Sequence, residues 1–367
     1  MILKQIITKG LITTILCSCI NCTSYVEKYK QDAYSKSKFK EILKETKLVS
    51  DKNLNSKYYK YLEKINFTNE ADYRSNQESF ENEYTKNHGL LEASSGILVD
   101  TDKMEIIYAQ NALADRAPAS TTKLLTAITA LEFLDLDTPL KVGCERDFIA
   151  RDSSVCGIKK GDMVTVNDLL HGLLIKSGND AAYTLACYAG MYIQNNTFIP
   201  FNENKFDGKY ALPSTYDYSE KDAIKYISTF INFMNINARI MGCETANFST
   251  PDGYDDEHQR VTAIDLAKIC VCAKQNKTIS EICNTTSYYC ETLDKTWIST
   301  NELMNKETEY YNPNVDGLKT GTTDDAGMCF VSSAHNNNTH LVSVILGGDT
   351  ESRWSETNKL LNVGFAR

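Results

Sequence analysis

Short apolar runs of β-type composition lie at both ends of residues 89–367, and longer runs with helical spacing lie between them. Two pairs of the short runs are separated by turn-forming residues and predict hairpins: residues 96–100 with 105–109, and residues 327–334 with 340–347. Asparagines in the second turn tolerate the left-handed backbone that tight turns need. The stretch around Lys319 predicts a further strand before the second hairpin.

Five stretches between the strands have apolar residues three and four positions apart and predict helices, namely 124–134, 166–175, 180–189, 223–241 and 262–274. Thr262, three residues before Asp265, predicts a capping box at the start of the last helix. Strands from both ends of a domain around a helical middle predict an α+β fold with helices packed on an antiparallel sheet. Residues 192–220, rich in Tyr, Asn and Phe, predict a long surface loop that either borders a ligand cleft or has no functional role.

The first 23 residues have the composition of a secretion signal. Residues 1–9 contain two lysines and no acidic residue, and a mostly apolar run follows at 10–20. The sequence becomes polar after Cys22. The run is shorter than the roughly 20 residues of a transmembrane helix. Residues 16–19 (LCSC) resemble a lipobox, which would place a lipid on Cys19. The alternatives are ordinary cleavage and retention as a short anchor, and each places the rest of the chain outside the cytoplasm.

Residues 24–88 are rich in Lys, Glu, Asn, Ser and Tyr, contain no proline and show no sustained apolar face. This composition predicts a polar stalk or linker. The alternative is a small helical unit packed on the domain that follows. The main domain is expected to span residues 89–367.

Charge and cysteine content argue against two classes of ligand. The net charge of −9 argues against nucleic acid, because phosphate binding needs clustered Lys and Arg. Nine of the 12 cysteines lie beyond the signal region, with no C-x-x-C pair among them, and the five histidines form no ligand-spaced cluster, so zinc is not expected. Nine cysteines cannot all pair within one chain. Buried free thiols are expected for most of them, and Cys144–Cys156 and Cys283–Cys290 are left open as disulfide pairs.

The string Ser120-Thr121-Thr122-Lys123 supplies a nucleophile and a base. Pro118 favours a helix start, so Ser120 is expected in the first turn with its N–H available to an oxyanion. Lys123 then lies one turn further on the same face. Burial and neighbouring positive charge would lower the pKa of this lysine enough to make it a base. Taken alone, the string also fits an exposed cap serine beside a solvated lysine.

The string Ser177-Gly178-Asn179 is expected in a short turn between two helices. Ser177 can pass a proton to a leaving amine, and Asn179 can bind the substrate backbone and orient Lys123. The plain alternative is turn chemistry, since all three residue types favour turns.

The string Lys319-Thr320-Gly321-Thr322 is expected at the end of a strand. Lys319 and the threonine hydroxyls suit a terminal carboxylate, and Gly321 lets a substrate strand approach closely. The N–H of Thr322 is the candidate for a second oxyanion donor. The plain alternative is a surface loop.

In this order, the three strings are the signature of serine acyl-enzymes that act on D-alanyl peptides and on the β-lactams that mimic them. Four longer stretches resemble the low-molecular-mass penicillin-binding proteins, the serine D-alanyl-D-alanine carboxypeptidases: LLHGLLIKSGNDAA (169–182), ANFSTPDG (246–253), DGLKTGTTDDAG (316–327) and ETNKLLNVGF (356–365). The resemblance covers roughly residues 90–367. It implies a β-lactamase/transpeptidase-like fold: a five-stranded antiparallel sheet, flanking helices and a helical subdomain, with the site between them.

The resemblance also implies roles for single residues. Ser120 would be the acylated nucleophile, Lys123 its proton acceptor, Ser177 the second proton carrier and Lys319 a substrate-binding residue. Arg353 matches a region where the family places a basic residue near the substrate carboxylate. Family members usually continue into a β-rich domain and a C-terminal membrane anchor, so here any membrane contact is expected through the N-terminal segment.

The expected activity is removal of the terminal D-alanine from peptidoglycan stem peptides outside the cytoplasm, without a cofactor and with β-lactams as covalent inhibitors. One rival is a class A-like β-lactamase, which needs a deacylating glutamate after the Ser-x-Asn string. We find no convincing E-x-x-x-N in residues 190–245. The other rival is a β-lactam or cell-wall sensor, in which acylation is a binding event without turnover.

Overall fold

The computed structural model describes residues 62–196 and 218–367. Five strands form its central sheet: β1 (Ser95–Asp100), β2 (Glu105–Gln110), β7 (Val315–Thr323), β8 (Gly327–Asn336) and β9 (Thr339–Gly348). Their order is β2-β1-β9-β8-β7, and all neighbours are antiparallel. Because β1 pairs with β9, the strands from the two ends of the domain close one sheet, and the predicted α+β fold is confirmed.

Two small hairpins lie outside the central sheet. They are β3 (Pro139–Lys141) with β4 (Met163–Thr165), and β5 (Ser287–Cys290) with β6 (Lys295–Ile298). The second hairpin packs against the loop after β3, since the Trp297 indole N–H donates to the carbonyl of Cys156 at 2.9 Å. This contact supports the loop that reaches the candidate site described below.

The helices of the described residues fill the middle of the chain and flank the sheet: α1 (Glu70–Ser75), α2 (Gln77–His88), α3 (Lys123–Leu131), α4 (Val166–Leu174), α5 (Asn179–Asn196), α6 (Glu220–Ile240), α7 (Ala263–Gln275), α8 (Lys277–Cys283) and α9 (Ser352–Phe365). Alternate residues of β1 face opposite sides of the sheet. Ile97 belongs to the large core with α3 and α7, and Leu98 belongs to the smaller core with Trp354 of α9. The sheet is therefore buried on both faces.

All five predicted helices are present, and one of them is longer than predicted. The helix predicted at 180–189 continues to Asn196, because Met191 and Ile193 are buried against the neighbouring helix and core. The first part of the predicted 192–220 loop is therefore helical. Residues 197–217 lie outside the described part of the chain.

The capping box predicted at Thr262 forms only in part. The Thr262 hydroxyl accepts the backbone N–H of Asp265 at 3.2 Å. The Asp265 carboxylate accepts hydrogen bonds from the backbone N–H groups of Glu244, Thr245 and Ala246 instead of returning to Thr262. This carboxylate therefore fastens the loop before the stretch 246–253 to the start of α7.

Residues 62–88 pack against the main domain, so the prediction of a polar stalk is wrong for this part of the chain. Leu62, Ile65 and Tyr73 belong to the large core although polar residues surround them in sequence. Glu70 of α1 accepts a hydrogen bond from the buried ammonium of Lys268 at 2.7 Å. The predicted boundary at residue 89 thus falls inside one packed body, while the predicted signal and residues 24–61 lie outside the described residues.

All nine cysteines beyond the signal region are buried free thiols, as favoured from the sequence, and neither candidate pair is a disulfide. Within residues 62–196 and 218–367, no helix combines the length and apolar character that a membrane span requires.

Candidate active site

Ser120 and Lys123 meet at the centre of the domain. The chain enters α3 through a 3-10 turn at Ala119–Thr122, so Ser120 lies in this tighter turn and not in the α-helix that the sequence predicted. Lys123 is the first residue of α3, and its Nζ is 2.6 Å from Ser120 Oγ. The spacing of three residues brings the two side chains to the same face, as expected.

The Lys123 ammonium is fully buried and has three hydrogen-bond acceptors. It donates to Ser120 Oγ, to Asn179 Oδ1 at 2.7 Å and to the backbone carbonyl of Asp252 at 2.6 Å. A neutral amine has two N–H donors and one lone pair. The same geometry therefore also fits a neutral Lys123 that keeps the two oxygen acceptors and receives the hydroxyl proton of Ser120.

Burial lowers the pKa of Lys123 to about 8, because the interior disfavours the charged form. The charges that act on it come from Asp252 and Asp180, and they oppose this shift. The expected help from a neighbouring positive charge is thus not what lowers this pKa. Repulsion acts instead on Lys319. Its burial and the positive charge of Lys123 hold the pKa of Lys319 well below its usual range.

Ser177 and Asn179 occupy the junction of α4 and α5, as the sequence predicted. Ser177 has a left-handed backbone with φ of 61°, which turns the chain sharply between the helices. Asn179 begins α5; its Oδ1 accepts from Lys123, and its Nδ2 donates to Ser153 Oγ at 2.9 Å. Its expected role of orienting Lys123 therefore has a direct geometric basis.

Lys319 and Thr320 lie in the middle of β7, the edge strand of the sheet, whereas the sequence placed them at a strand end. Lys319 is almost completely buried, and its Nζ donates to the Thr320 carbonyl at 2.9 Å. β7 continues to Thr323 and includes Gly321 and Thr322. The string is therefore part of a paired strand, which excludes the alternative of a surface loop.

Two glycines allow the backbone around Ser120 to pack closely. A Cβ added to Gly321 would lie 3.0 Å from the backbone nitrogen of Ser120. A Cβ added to Gly253 would lie 1.8 Å from the carbonyl oxygen of Ala119, which itself has φ of 48°. The nucleophile turn is thus held between β7 and the loop that carries Asp252.

Arg353 lies in the first turn of α9, beside the exposed end of the Lys-Thr-Gly strand. Its guanidinium donates to Thr322 Oγ1 at 3.3 Å and lies over the ring of Trp354, 4.3 Å from its centroid. Burial lowers the pKa of Arg353 from its ordinary value. The structure thus joins Ser120, Lys123 and Asn179 through hydrogen bonds, and Gly321 of β7 lies against the Ser120 backbone. Arg353 joins the same strand at Thr322.

Two contributors were not identified as site residues from the sequence. Asp252 acts through its backbone carbonyl, which has no side-chain signature, although it lies within the stretch 246–253 that carries the family resemblance. Ser153 lies in a loop that no motif marks. Only the three-dimensional contacts with Lys123 and Asn179 identify them.

Known proteins resemble this chain in sequence and in fold. A sequence profile of the D-alanyl-D-alanine carboxypeptidase family matches residues 81–205 and 227–350. The D-alanyl-D-alanine carboxypeptidase DacF of Bacillus subtilis is 28% identical over 283 residues, which cover 75% of this chain and 63% of that protein. The chain thus spans less than two thirds of that relative.

Solved structures show the same fold. The crystal structure of a Streptomyces DD-transpeptidase matches with a TM-score of 0.63 and 27% identity, covering 76% of this chain and 98% of that one. A penicillin-binding protein of Listeria monocytogenes in its ampicillin-bound form matches with a TM-score of 0.57 and 25% identity, covering 75% and 98%.

Proposed function

The chain belongs to the D-alanyl-D-alanine carboxypeptidase family, and we propose that it removes the terminal D-alanine from peptidoglycan stem peptides through an acyl-enzyme on Ser120. The observation that carries this proposal is the 2.6 Å contact between Ser120 Oγ and a buried Lys123 whose pKa is lowered to about 8. A base with a pKa near the working pH combines the correct protonation state with useful basicity.

Acylation begins when neutral Lys123 accepts the proton of Ser120 Oγ as this oxygen attacks the carbonyl carbon of the penultimate D-alanine. The backbone N–H groups of Ser120 and Thr322 are the proposed donors to the oxyanion. The tetrahedral intermediate then collapses and the peptide C–N bond breaks. The leaving nitrogen takes a proton from the Ser177 hydroxyl, and Ser177 takes the proton that Lys123 had accepted, which returns Lys123 to its neutral form. Free D-alanine leaves, and the rest of the peptide is esterified to Ser120.

The carboxylate of the terminal D-alanine is the proposed ligand of Lys319, Thr320 and Arg353. An arriving anion would raise the pKa of Lys319 and favour its charged form, since opposite charges stabilise each other in a buried site. The Arg353 guanidinium donates to Thr322 at 3.3 Å, so it lies two residues along β7 from Thr320. Asn179 would bind the peptide backbone while it keeps Lys123 in place.

Deacylation reverses the proton transfers with water in place of the amine. Lys123 takes a proton from the attacking water, the ester bond to Ser120 breaks, and the proton returns to Ser120 Oγ. β-lactams should follow the acylation step and remain as esters, which is the reason to expect penicillin as a covalent inhibitor. The ampicillin-bound Listeria relative supports this expectation.

The substrate implies an extracytoplasmic location, and the predicted signal at residues 1–23 supports it. Lipidation of Cys19 remains part of the proposal and is tested by metabolic labelling with a fatty acid, which Cys19→Ala should abolish. Labelling that persists in the variant would contradict this part.

The proposal is tested by D-alanine release from diacetyl-Lys-D-Ala-D-Ala by the purified protein beside Ser120→Ala. Release by the wild type alone supports the carboxypeptidase. Release that increases in rate and gives a ligated product when an amine acceptor is added would favour a transpeptidase, which the Streptomyces neighbour suggests.

Two other results would favour the remaining rivals. Rapid hydrolysis of penicillin, without a long-lived ester, would favour a β-lactamase. A stable penicillin ester on Ser120 together with no peptide turnover would favour a sensor.

A further inference from the structure

A second Ser-x-Asn string, Ser299-Thr300-Asn301, lies beside the candidate site although it is not part of the three-motif signature. The Asn301 side chain donates to the carbonyl of Gly317 in β7 at 3.3 Å and accepts the backbone N–H of Leu303 at 3.1 Å. The N–H of Ser299 donates to the carbonyl of Thr286 at 2.8 Å. This segment is therefore fastened along the edge strand that carries the Lys-Thr-Gly string.

The fixed residue between these anchors is Thr300, and its Oγ1 lies 2.6 Å from Oγ1 of Thr320. Lys319 Nζ approaches the same Thr320 oxygen at 3.4 Å. A threonine hydroxyl has one proton to donate and two lone pairs that accept. If Thr300 and Lys319 both donate, the lone pairs of Thr320 are filled and its own proton is left for a ligand.

We propose that Thr300 is a positioning residue that donates its hydroxyl proton to Thr320, so that the Thr320 proton is directed at the carboxylate of the bound ligand. This inference rests on the proposed function, in which Thr320 meets the terminal carboxylate of a D-alanyl peptide or the carboxylate of a β-lactam. If the hydrogen bond ran in the opposite direction, Thr320 would donate its only proton to Thr300, and its lone pairs would face the anionic ligand. A charged acceptor favours the donating arrangement because hydrogen bonds to ionised groups are the strong ones.

The test uses Thr300→Val, which keeps the shape of the side chain and removes its hydroxyl. The second-order rate of Ser120 acylation is measured with benzylpenicillin and with its methyl ester, which has no charged carboxylate. We expect the rate with the free acid to fall about tenfold, the size of one weakened hydrogen bond to an ion. The rate with the ester should change by less than about twofold, since that ligand makes no use of the charge-assisted bond.

Three further variants make the result specific. Thr300→Ser should restore the rate with the free acid because it restores the donor. In a Thr320→Val background, Thr300→Val should cause no further loss of the acylation rate with the free acid, since the effects of coupled residues are not additive. Thr296→Val alters an exposed threonine of β6, the strand just before Thr300, and should leave both rates unchanged.

Equal loss with acid and ester, or failure of Thr300→Ser to restore the rate, would overturn the positioning role. Thermal unfolding of each variant identifies loss of fold, and Thr300→Ala serves as a second deletion of the hydroxyl if valine does not fold. The wild type is assayed in the same series for penicillin labelling and D-alanine release. If the wild type is labelled by penicillin and releases D-alanine, and Thr300→Val behaves like it, only the role of Thr300 is refuted. If the wild type shows neither labelling nor release, the proposed function is refuted as well.

Discussion

The pH dependence of acylation should shift when Asn179 becomes aspartate, a change that keeps the shape of the side chain and adds one negative charge. The change replaces the Nδ2 amide, which donates to Ser153, with an oxygen. The new carboxylate shares its charge with Oδ1, the atom that lies 2.7 Å from Lys123 Nζ. Unit charges about 4 Å apart interact by about 4 kcal/mol at an effective dielectric constant of about 20. This would be about three pKa units, and the cost of burying the new carboxylate reduces the expected rise of the Lys123 pKa to one to three units.

The expected rates follow from the fraction of Lys123 that is neutral. With a pKa of about 8, about a tenth of wild-type Lys123 is neutral at pH 7. A rise of one to three units lowers that fraction, and with it the acylation rate at pH 7, about tenfold to a thousandfold. The deficit should shrink as the pH rises, because the wild type is already deprotonated above its pKa and only the variant still gains neutral base.

The assay is the second-order rate of labelling by a fluorescent penicillin between pH 6 and 9.5, with Ser120→Ala as the unlabelled control. The matched variant is Asn179→Ala, which removes the same contact without adding charge and should not move the inflection upward. An Asn179→Asp profile that is lowered evenly, or that inflects at the wild-type pH, would refute the assignment of Lys123 as the base held by Asn179.

Two further substitutions test the packing around the site. Glu70→Ala leaves the buried ammonium of Lys268 without its ion-pair partner and should lower the free energy of unfolding by about 3 kcal/mol in urea titrations. The control Glu78→Ala, at an exposed position, should change it by less than about 0.5 kcal/mol. Equal losses would contradict the packing of residues 62–88 on the domain. Gly253→Ala should reduce penicillin acylation far more than Gly161→Ala, because both glycines have positive φ but only the first would place a Cβ within 1.8 Å of backbone. Equal effects would show that backbone conformation, and not contact with the nucleophile turn, limits the site.

The parts of the site that the sequence predicted depend on local geometry. Ser120 and Lys123 are three residues apart, so a helical turn of either type places them on one face. Ser177 and Asn179 fall between two segments with clear helical periodicity, and the turn residues at that junction can adopt the backbone that the structure shows. Such features are encoded within a few residues and need no knowledge of distant contacts.

The parts that the sequence did not predict depend on contacts between distant segments. The carbonyl of Asp252 binds Lys123, and any residue type would present the same oxygen. The 3-10 turn at Ser120 is packed against Gly253 and Gly321, which come from separate parts of the chain. Residues 62–88 are mostly polar, and the few side chains that are buried show no apolar periodicity in the sequence. One of their contacts, the pair of Glu70 and Lys268, joins positions 198 residues apart.

The burial that makes Lys123 a base also has a cost in stability. Its pKa in the folded protein, about 8, lies below the value of about 10.4 expected in an unfolded chain. The unfolded state therefore binds more protons at this residue between these two pH values. Its contribution disfavours folding most fully below pH 8, and the penalty is relieved as the pH rises toward 10.4. The three acceptors around Lys123 reduce this penalty without removing the pKa shift, because all three are neutral oxygens, those of the Ser120 hydroxyl, the Asn179 amide and the Asp252 backbone. Neutral acceptors thus hold the amine in place while leaving it basic enough, and uncharged often enough, to activate Ser120.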